Sequence, residues 1–396
     1  MQSKKVYVIP MIIKTTKKLE DLCLRLEKER FITVDTEFIR EKTYYPVLCL
    51  IQVGAGKNAW CIDPLSPEMD LSPFFNILMN KNIIKVFHAC HQDLEIFYHL
   101  MHKMPVPVFD TQVGAMVCGY HDNISYQQLV KDYTHITLDK GMRITDWAHR
   151  PLTKDQEKYA LHDVIELKEV YKKMMQDICT HNRLDWIQEE MMHLTNTQNY
   201  ELDIFHLMTK MHVPFHKKET IHLCARLIEW REKMAQKKDR PRKFILTDEA
   251  LLECAALTPK TPQELEGLRG ICEGFSQSEV GKSLMTCLQK SIQEEPLEWS
   301  VPQKQVLSSG KKSWLEALKL LLNIVCDTQK VAPYLVASNE ALIQYINTND
   351  APFMHGWRFQ IFGKHVDAFK NGEVAFVYDR GQKRLILQSN PTKPVQ

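Results

Sequence analysis

Two carboxylates, Asp35 and Glu37, stand two residues apart at the end of the apolar run Phe31-Ile32-Thr33-Val34. Side chains alternate between the two faces of a strand, so both carboxylates are expected on the same face. Like charges at that separation repel, and keeping both ionised costs free energy unless a cation lies between them. Mg²⁺ and Mn²⁺ prefer carboxylate oxygens and water as ligands. The pair alone is also what a solvated strand end looks like, so its partners decide between the two interpretations.

A third carboxylate, Asp93, follows the apolar strand pattern at residues 83–87. It opens a helix pattern whose apolar positions predict one buried face, formed by Leu94, Phe97, Tyr98 and Met101. Asp93 would then lie in the first turn, where the helix dipole favours a carboxylate. Taken alone, Asp93 is better explained as an ordinary residue of a helix N-terminus.

The fourth carboxylate, Asp163, belongs to a long helix pattern at residues 153–177 with an apolar stripe at Ala160, Val164, Leu167, Tyr171 and Met174. Tyr159 precedes Asp163 by four residues, so the two side chains lie on one side of the helix, one turn apart. Asp163 borders the stripe, and a carboxylate that faces the interior is costly unless it is paired or bound to a metal. A buried Tyr-Asp hydrogen bond without a catalytic role is the alternative.

Together these residues resemble the DEDDy branch of the DEDD 3′→5′ exonuclease superfamily, and within it the ribonuclease D family. Residues 34–38 are similar to the first exonuclease motif, residues 88–93 to the second and residues 159–163 to the third. Other segments that resemble this family follow in the same order, at residues 43–46, 48–52, 60–65, 109–112, 138–140, 145–147 and 150–152. His91-Gln92 and Gly141 depart from the family's more usual Ser-Glu and Ser, at positions that are not expected metal ligands. The resemblance covers residues 5 to about 180.

The resemblance implies a ribonuclease H-like α/β fold and a site with two divalent ions, Mg²⁺ or Mn²⁺, and no small-molecule cofactor. It implies that Asp35, Glu37 and Asp163 hold the ion on the nucleophile side. Asp35 would also bind the second ion, which Asp93 would support through water. Two such ions, about 3.5–4 Å apart, activate an attacking water and stabilise a leaving 3′ oxygen. Tyr159 would orient that water, since a phenol with a pKa near about 10 is a poor base at neutral pH.

The chain of 396 residues is long enough for two or three domains. Its 44% hydrophobic and 25% charged residues are ordinary for a soluble globular protein, and no apolar run approaches the length of a membrane span. The 11 cysteines are scattered without a C-x-x-C pair, which fits reduced thiols and argues against a disulfide framework or a zinc site. The composition therefore predicts a cytoplasmic protein that does not associate with membranes.

The first part of the chain alternates strand and helix patterns, which predicts an α/β layer fold with a mixed sheet. Strand patterns lie at residues 6–9, 32–35, 47–53, 59–63, 83–87 and 108–109. Helix patterns lie at residues 17–28, 72–79, 94–102, 112–118, 126–133 and 154–177. We assign residues 5–200 to the exonuclease domain.

Beyond about residue 215 the strand patterns stop and short helix patterns follow, the first of them at residues 219–237. Residues 230–242 and 246–251 resemble the HRDC domain that follows the nuclease in the ribonuclease D family, which implies a small all-α, nucleic-acid-binding domain at residues 215–295. Between residues 216 and 243 there are ten Lys or Arg against four Asp or Glu. Such a stretch neutralises phosphates or forms a solvated helix face, and charge alone does not distinguish these roles.

Residues 300–312 contain Pro, Ser, Gly and Lys and are typical of a linker. Residues 313–390 would form a divergent second HRDC-like domain, with helices at 314–325, 339–346 and 356–361. Alternating residues at 374–377 and 384–387 predict a hairpin, which is not standard for an HRDC domain. Residues 390–396 would be a loose end.

The leading functional prediction is a monomeric 3′→5′ exoribonuclease that releases nucleoside 5′-monophosphates and trims tRNA precursors and other small structured RNAs. A single-stranded 3′ end would reach the site, with Phe38, Arg40 and Tyr44 as candidate contacts; Phe38 fits a packed core equally well. A DNA 3′→5′ exonuclease would use the same metals and differ in how it treats the 2′-hydroxyl. A catalytically silent RNA-binding scaffold is a third hypothesis, which the presence of all four acids and the tyrosine disfavours.

Overall fold

The computed structural model describes residues 12–138, 145–214, 217–297 and 307–390. The strand pattern at residues 6–9 lies outside this range, as do residues 139–144 and most of the predicted loose end. Contacts divide the chain into two compact units. The sheet unit comprises the described parts of Met1–Glu37, Cys49–Asn196 and Gln305–Gln396, and the helical unit those of Phe38–Leu48 and Thr197–Lys304.

A six-stranded sheet forms the centre of the sheet unit, in the order β1-β4-β3-β2-β5-β6. The strands are β1 Ile12–Ile13, β2 Phe31–Ile39, β3 Val47–Ala55, β4 Asn58–Ile62, β5 Ile84–Phe87 and β6 Val108–Asp110. β3 and β4 pair antiparallel, whereas β2 and β5 as well as β5 and β6 pair parallel. The mixed sheet and the α/β class predicted from the sequence are therefore confirmed.

Helices pack against this sheet. They are α1 Thr16–Leu26, α2 Ser72–Met79, α3 His91–Met101, α4 Thr111–Val117, α5 Tyr126–Thr134, α6 Lys154–Thr180 and α7 Leu184–Leu194. The long helix α6 begins at a capping box, in which the side chains of Thr153 and Gln156 each satisfy the other's backbone N–H. α7 was not expected from the sequence, because only Ile187 and Met191 are buried along it.

The helical unit contains five α-helices within its described residues: α8 Ile204–Lys210, α9 Lys218–Lys238, α10 Asp248–Leu257, α11 Pro262–Glu266 and α12 Glu279–Ser291. One hydrophobic core holds them together, with Leu227, Leu251 and Leu288 at its centre. Thr247, Thr261 and Ser278 cap three of the helices by accepting a hydrogen bond from the backbone N–H three residues on. This arrangement matches the small all-α domain expected here.

The C-terminal part of the sheet unit is mainly helical and ends in a hairpin. Its elements are α13 Ser309–Gln329, α14 Pro333–Val336, α15 Asn339–Thr348, α16 Gly356–Arg358, a π-helical turn Phe359–Gly363, α17 Lys364–Lys370, β7 Val374–Asp379 and β8 Arg384–Ser389. The predicted linker at 300–312 is wrong for its last four residues. Ser308 is extended at φ −62° and ψ 165°, and α13 starts at the next residue. The predicted hairpin is confirmed.

This C-terminal part shares one hydrophobic core with the sheet, to which Val86, Phe109 and Met174 contribute together with Leu318 and Phe362. The segment that contains α7 lies between the helices that pack on the sheet and the C-terminal part. Arg183 donates hydrogen bonds to the carbonyls of Val117 at 2.6 Å, Lys330 at 2.7 Å and Gln329. The rings of Trp186 and Trp357 stack with their centroids 4.4 Å apart. Residues 307–390 thus share the hydrophobic core of the sheet unit, and their assignment to a second HRDC-like domain stays a prediction.

Among the described helices, none combines the length and the apolar composition that crossing a bilayer requires.

Candidate active site

Three carboxylates meet where β2 and α6 face each other. Asp35 and Glu37 lie on β2 and Asp163 on α6, all half-buried. Each contributes one oxygen to a group in which all atoms lie within 4.8 Å of one another. An all-oxygen donor set of this kind fits Mg²⁺ or Mn²⁺ and gives no soft ligand for zinc. The structure therefore brings together the three acids that the sequence predicted as ligands of one ion.

A close approach of α6 to the sheet positions Asp163. The Thr33 hydroxyl on β2 donates a hydrogen bond at 2.7 Å to the carbonyl of Val164, the residue after Asp163. A Cβ atom on Gly54 of β3 would lie 2.8 Å from that same carbonyl oxygen and would also collide with the Thr33 hydroxyl. Only glycine leaves room for the helix at this point. Neither Thr33 nor Gly54 was assigned a role from the sequence, because the contact joins residues 131 positions apart.

Asp93 lies in the first turn of α3, as expected, and only 7% of it is exposed. It accepts a hydrogen bond from the hydroxyl of Thr36, the residue between Asp35 and Glu37. Burial and then the Asp35 charge raise the pKa of Asp93 well above its usual range. Asp93 is therefore next to the three-acid group without being a member of it, a position that suits a ligand acting through water.

The turn that leads into α3 is held by Asp110, at the end of β6. Its carboxylate accepts hydrogen bonds from the backbone N–H groups of Ala89 at 3.0 Å, Cys90 at 2.8 Å and Gln112 at 2.7 Å. Ala89 has a φ of 57°, a left-handed conformation that a non-glycine residue adopts only where its surroundings impose it. Asp110 thus fixes the backbone from which Asp93 projects. In the sequence, the one indication of a structural role for Asp110 was its position as a possible N-cap before α4.

The electrostatics of the three-acid group are unfavourable without a cation. Burial, followed by repulsion from Asp163, raises the pKa of Asp35 well above its usual range. Burial and repulsion from Asp35, Asp163 and Asp93 raise the pKa of Glu37 to about 10. Among the described residues, neither Asp35 nor Glu37 forms an ion pair with Lys, Arg or His. A divalent cation would reverse this balance by favouring the ionised carboxylates.

Tyr159 is half-buried on α6, one helical turn before Asp163. Its ring centroid lies 6.2 Å from that of Trp147, which is 3% exposed, so the tyrosine is next to a buried aromatic side chain. Nearby, Arg150 clamps Asp63 through two hydrogen bonds of 2.9 and 2.8 Å and reaches the Cys49 carbonyl at 2.5 Å. This pair fixes the segment that enters α6.

Tyr44, a candidate RNA contact, belongs to the helical unit. Its hydroxyl donates a hydrogen bond at 2.7 Å to Glu232, which is fully buried and also pairs with Arg242 at 3.0 Å. The backbone N–H of Tyr44 donates to Asp239 at 3.0 Å. These contacts give Tyr44 a structural role, and a contact of Phe38, Arg40 or Tyr44 with RNA stays a prediction.

Comparisons with known proteins indicate the family of this chain. The model of the DNA polymerase A-type 3′-5′ exonuclease domain matches residues 10–178, and that of the HRDC domain matches residues 222–287. Ribonuclease D of Nitrobacter hamburgensis is 36% identical over 94% of this chain and 98% of its own length. Ribonuclease D of Zymomonas mobilis is 37% identical over 95% of this chain and 98% of its own.

A solved structure of Escherichia coli RNase D superposes with a TM-score of 0.77 at 28% identity, covering 92% of this chain and 99% of that one. The similarity therefore includes the C-terminal residues as well as the exonuclease and HRDC domains. The chain belongs to the ribonuclease D family of 3′→5′ exoribonucleases.

Proposed function

We propose that this chain removes nucleotides one at a time from RNA 3′ ends and releases nucleoside 5′-monophosphates, with tRNA precursors and other small structured RNAs as substrates. The observation that carries the proposal is the group of Asp35, Glu37 and Asp163, whose oxygens lie within 4.8 Å of one another. A phosphodiester carries a negative charge that repels hydroxide, so its hydrolysis depends on positive charge at the scissile phosphate. The three carboxylates would hold that charge there.

The donor set fits two divalent ions, Mg²⁺ or Mn²⁺. Asp35, Glu37 and Asp163 would hold one ion, Asp35 would also bind the second, and Asp93 would support the second through water. When bound, such ions lower the pKa of the attacking water and stabilise the leaving 3′ oxygen. The hydrogen bond that Asp93 accepts from Thr36 supports this role in binding through water.

The protein itself contributes orientation. Tyr159, one turn before Asp163 on α6, would hydrogen-bond the attacking water and align it with the phosphate. Rigid placement matters for the rate, because a misplacement of about 1 Å can reduce it about a hundredfold. The hydrogen bond from Thr33 to Val164 and the turn held by Asp110 supply that rigidity on the two sides of the acids.

The helical unit would hold the body of the RNA and so raise its concentration at the site. A groove between α9 and α12 is lined by Arg226, Trp230, Lys233, Lys237 and Lys290, together with Glu229 and Glu294. Three of these cations already have carboxylate partners. Arg226 pairs with Glu294 at 2.7 Å, Lys233 with Glu229 at 2.6 Å and Lys237 with Glu279 at 3.6 Å. Arg231 of the same basic stretch is buried and pairs with Asp248. Phosphate contact would therefore fall mainly to Lys290.

We further propose that the enzyme acts as a monomer in the cytoplasm. All 11 cysteines lie within the described residues and none is in a disulfide, which suits a reducing compartment.

A labelling experiment tests the activity. A 5′-labelled RNA, a 3′-labelled RNA and a matched DNA are incubated with the full chain in Mg²⁺ or Mn²⁺, with the Asp35→Asn variant as control. The expected result is a ladder of shortening 5′-labelled RNA and immediate release of labelled mononucleotide from the 3′-labelled RNA. Internal cuts, or DNA degraded faster than RNA, would contradict the proposal.

A further inference from the structure

The C-terminal hairpin, formed by β7 and β8, has a fixed base. Its six cross-strand pairs run from Val374 opposite Ser389 to Asp379 opposite Arg384. At the base, the backbone N–H of Asn390 donates to the Glu373 carbonyl at 2.8 Å. The hairpin is therefore a regular ladder along its whole length, and its tip has a defined position relative to the base.

One half of one hairpin face is partly buried in the sheet unit. Phe376 and Leu387 lie opposite each other and pack against the core that joins the sheet to the C-terminal helices. The ring centroid of Phe376 is 4.7 Å from that of Phe369, which in turn stacks on Trp314 at 5.6 Å. An isolated two-stranded hairpin is only marginally stable in water, so these aromatic contacts account for its order.

The other half of the same face is exposed. Side chains alternate along a strand, so Tyr378 and Leu385, two residues nearer the tip, lie on the face of Phe376 and oppose each other. They are 58% and 39% exposed. Val377, whose side chain lies on the opposite face of the hairpin, is 37% exposed. Contiguous exposed apolar side chains beside polar residues are a mark of binding surfaces, and the core of this protein accounts only for the other half of the face.

Positive charge lies at the tip, next to this exposed half. Arg380, Lys383 and Arg384 occupy the turn and the start of β8 and are exposed. The one acid of the tip, Asp379, uses its carboxylate to accept hydrogen bonds from the backbone N–H groups of Gly381 at 2.8 Å and Gln382 at 3.0 Å. Among the described residues, no carboxylate forms an ion pair with any of the three cations. They differ in this from Arg226 and Lys233 of the helical unit.

We propose that the tip of this hairpin is an RNA-binding surface, with a base stacked on Tyr378 and the adjoining phosphates contacted by Arg380 and Lys383. An exposed aromatic ring beside cations that lack carboxylate partners suits single-stranded nucleic acid, since every base has a face to stack and every linkage a charge to neutralise. Lys and Arg on an edge strand disfavour addition of a strand from another protein. This proposal rests on the proposed function, in which RNA is the substrate. It adds an RNA-binding surface outside the group of acids.

Binding is measured with the full chain carrying Asp163→Asn, so that the RNA is not cut. One hairpin variant combines Arg380→Gln with Lys383→Gln, two side chains without ion pairs. Its matched control combines Lys312→Gln with Lys364→Gln, which removes the same charge from exposed positions of the same unit. Tyr378→Leu removes the ring and keeps an apolar side chain, and Tyr378→Phe keeps the ring. The probes are a long oligouridylate and a uridine dinucleotide, and thermal unfolding of every variant checks the fold.

The hairpin double variant is expected to weaken binding of the long RNA about fivefold and to lower the slope of log K against log salt by up to about 1.4, at about 0.7 per lost phosphate contact. Tyr378→Leu is expected to weaken it about fivefold, the lower end of stacking on one base, while Tyr378→Phe and the control double variant retain wild-type affinity. In the hairpin double variant and in Tyr378→Leu, the loss of affinity for the long RNA should exceed the loss for the dinucleotide about fivefold.

Four results would overturn the assignment: unchanged affinity and salt slope in the hairpin variants, an equal loss in the control double variant, an equal loss for the dinucleotide, or a change in oligomeric state with unchanged RNA affinity. The last would make the tip a protein contact. If Tyr378→Leu unfolds, the double glutamine variant decides alone, because its side chains are solvent-exposed.

Discussion

The acids of the sheet unit fall into two groups that differ in how their charge is compensated. Asp63 and Asp110 are each 3% exposed, and both have a full set of donors. Arg150 binds Asp63 through two nitrogen atoms, and three backbone N–H groups bind Asp110. Asp35 and Glu37 form no ion pair with a cationic side chain among the described residues. Burial, followed by repulsion from neighbouring carboxylates, raises their pKa values. Compensated acids hold the fold, whereas uncompensated acids are an arrangement that a bound cation would stabilise.

This contrast predicts opposite consequences for the same chemical change in the two groups. Replacing a compensated carboxylate removes hydrogen bonds and leaves a buried cation or N–H group without its partner. Replacing an uncompensated carboxylate relieves repulsion and removes a ligand.

The largest expected effect is on activity. Asp35→Asn or Asp163→Asn should reduce RNA hydrolysis about a thousandfold or more, since positive charge at the phosphate accounts for several kcal/mol of the barrier reduction. Asp35→Asn should be at least as damaging as Glu37→Gln, because Asp35 would serve both ions. Single-turnover rates in Mg²⁺ measure this, with the exposed Glu20→Gln as control. Full activity of either asparagine variant would remove the acids from the mechanism.

Breaking the ion pair of Asp63 and Arg150 should cost a comparable free energy, but as lost stability. Asp63→Asn should lower the free energy of unfolding by about 3 kcal/mol, because Arg150 would be left partly buried without its counter-charge. Urea unfolding measures this against Asp70→Asn, which changes an exposed acid of the same unit. If Asp63→Asn and Asp35→Asn destabilise the metal-free protein equally, the distinction between the two groups fails.

Asp110 should show a smaller effect on activity. Asp110→Asn weakens the acceptor that holds the turn before α3, so Asp93 would be less well placed, and the rate or the apparent metal affinity should fall about tenfold to a hundredfold. The rate as a function of Mn²⁺ concentration reports it. A variant that loses stability but keeps the wild-type metal dependence would show that Asp110 supports the fold and does not position Asp93.

The smallest expected effect comes from the close approach of α6 to Gly54 on β3, next to Asp163. Gly54→Ala places a methyl group 2.8 Å from the Val164 carbonyl and should cost about 1–3 kcal/mol of stability while displacing α6. Gly310→Ala, at a position where the added Cβ meets nothing within 4 Å, is the matched control and should be neutral or stabilising. Equal behaviour of the two variants would show that α6 adapts without cost.

Local patterns were sufficient to predict most elements and the acids themselves. Alternation placed Asp35 and Glu37 on one strand, and helical spacing placed Asp93 in a first turn and Tyr159 one turn from Asp163. The roles of Thr33, Gly54 and Asp110 were missed because each depends on a contact with a distant part of the chain. α7 was missed for a related reason: it packs through Trp186 against Trp357, which lies far along the sequence.

The start of α13 illustrates a different limit. Gly310 and the adjoining lysines are typical of a linker, but Leu315 and Leu318 find a buried position in the shared core and extend the helix back to Ser309. Packing against that core stabilises a first turn that local propensity does not favour.

Thermal unfolding in EDTA and across a Mn²⁺ titration tests the central claim most directly, that Asp35, Glu37 and Asp163 form a cation site. A cation that binds only the folded state raises the melting temperature progressively as its concentration increases. The wild-type chain should show this rise, whereas Asp35→Asn should melt at least as high as wild type in EDTA and gain little from Mn²⁺. Equal rises in both proteins, or a lower melting temperature for Asp35→Asn in EDTA, would contradict the account.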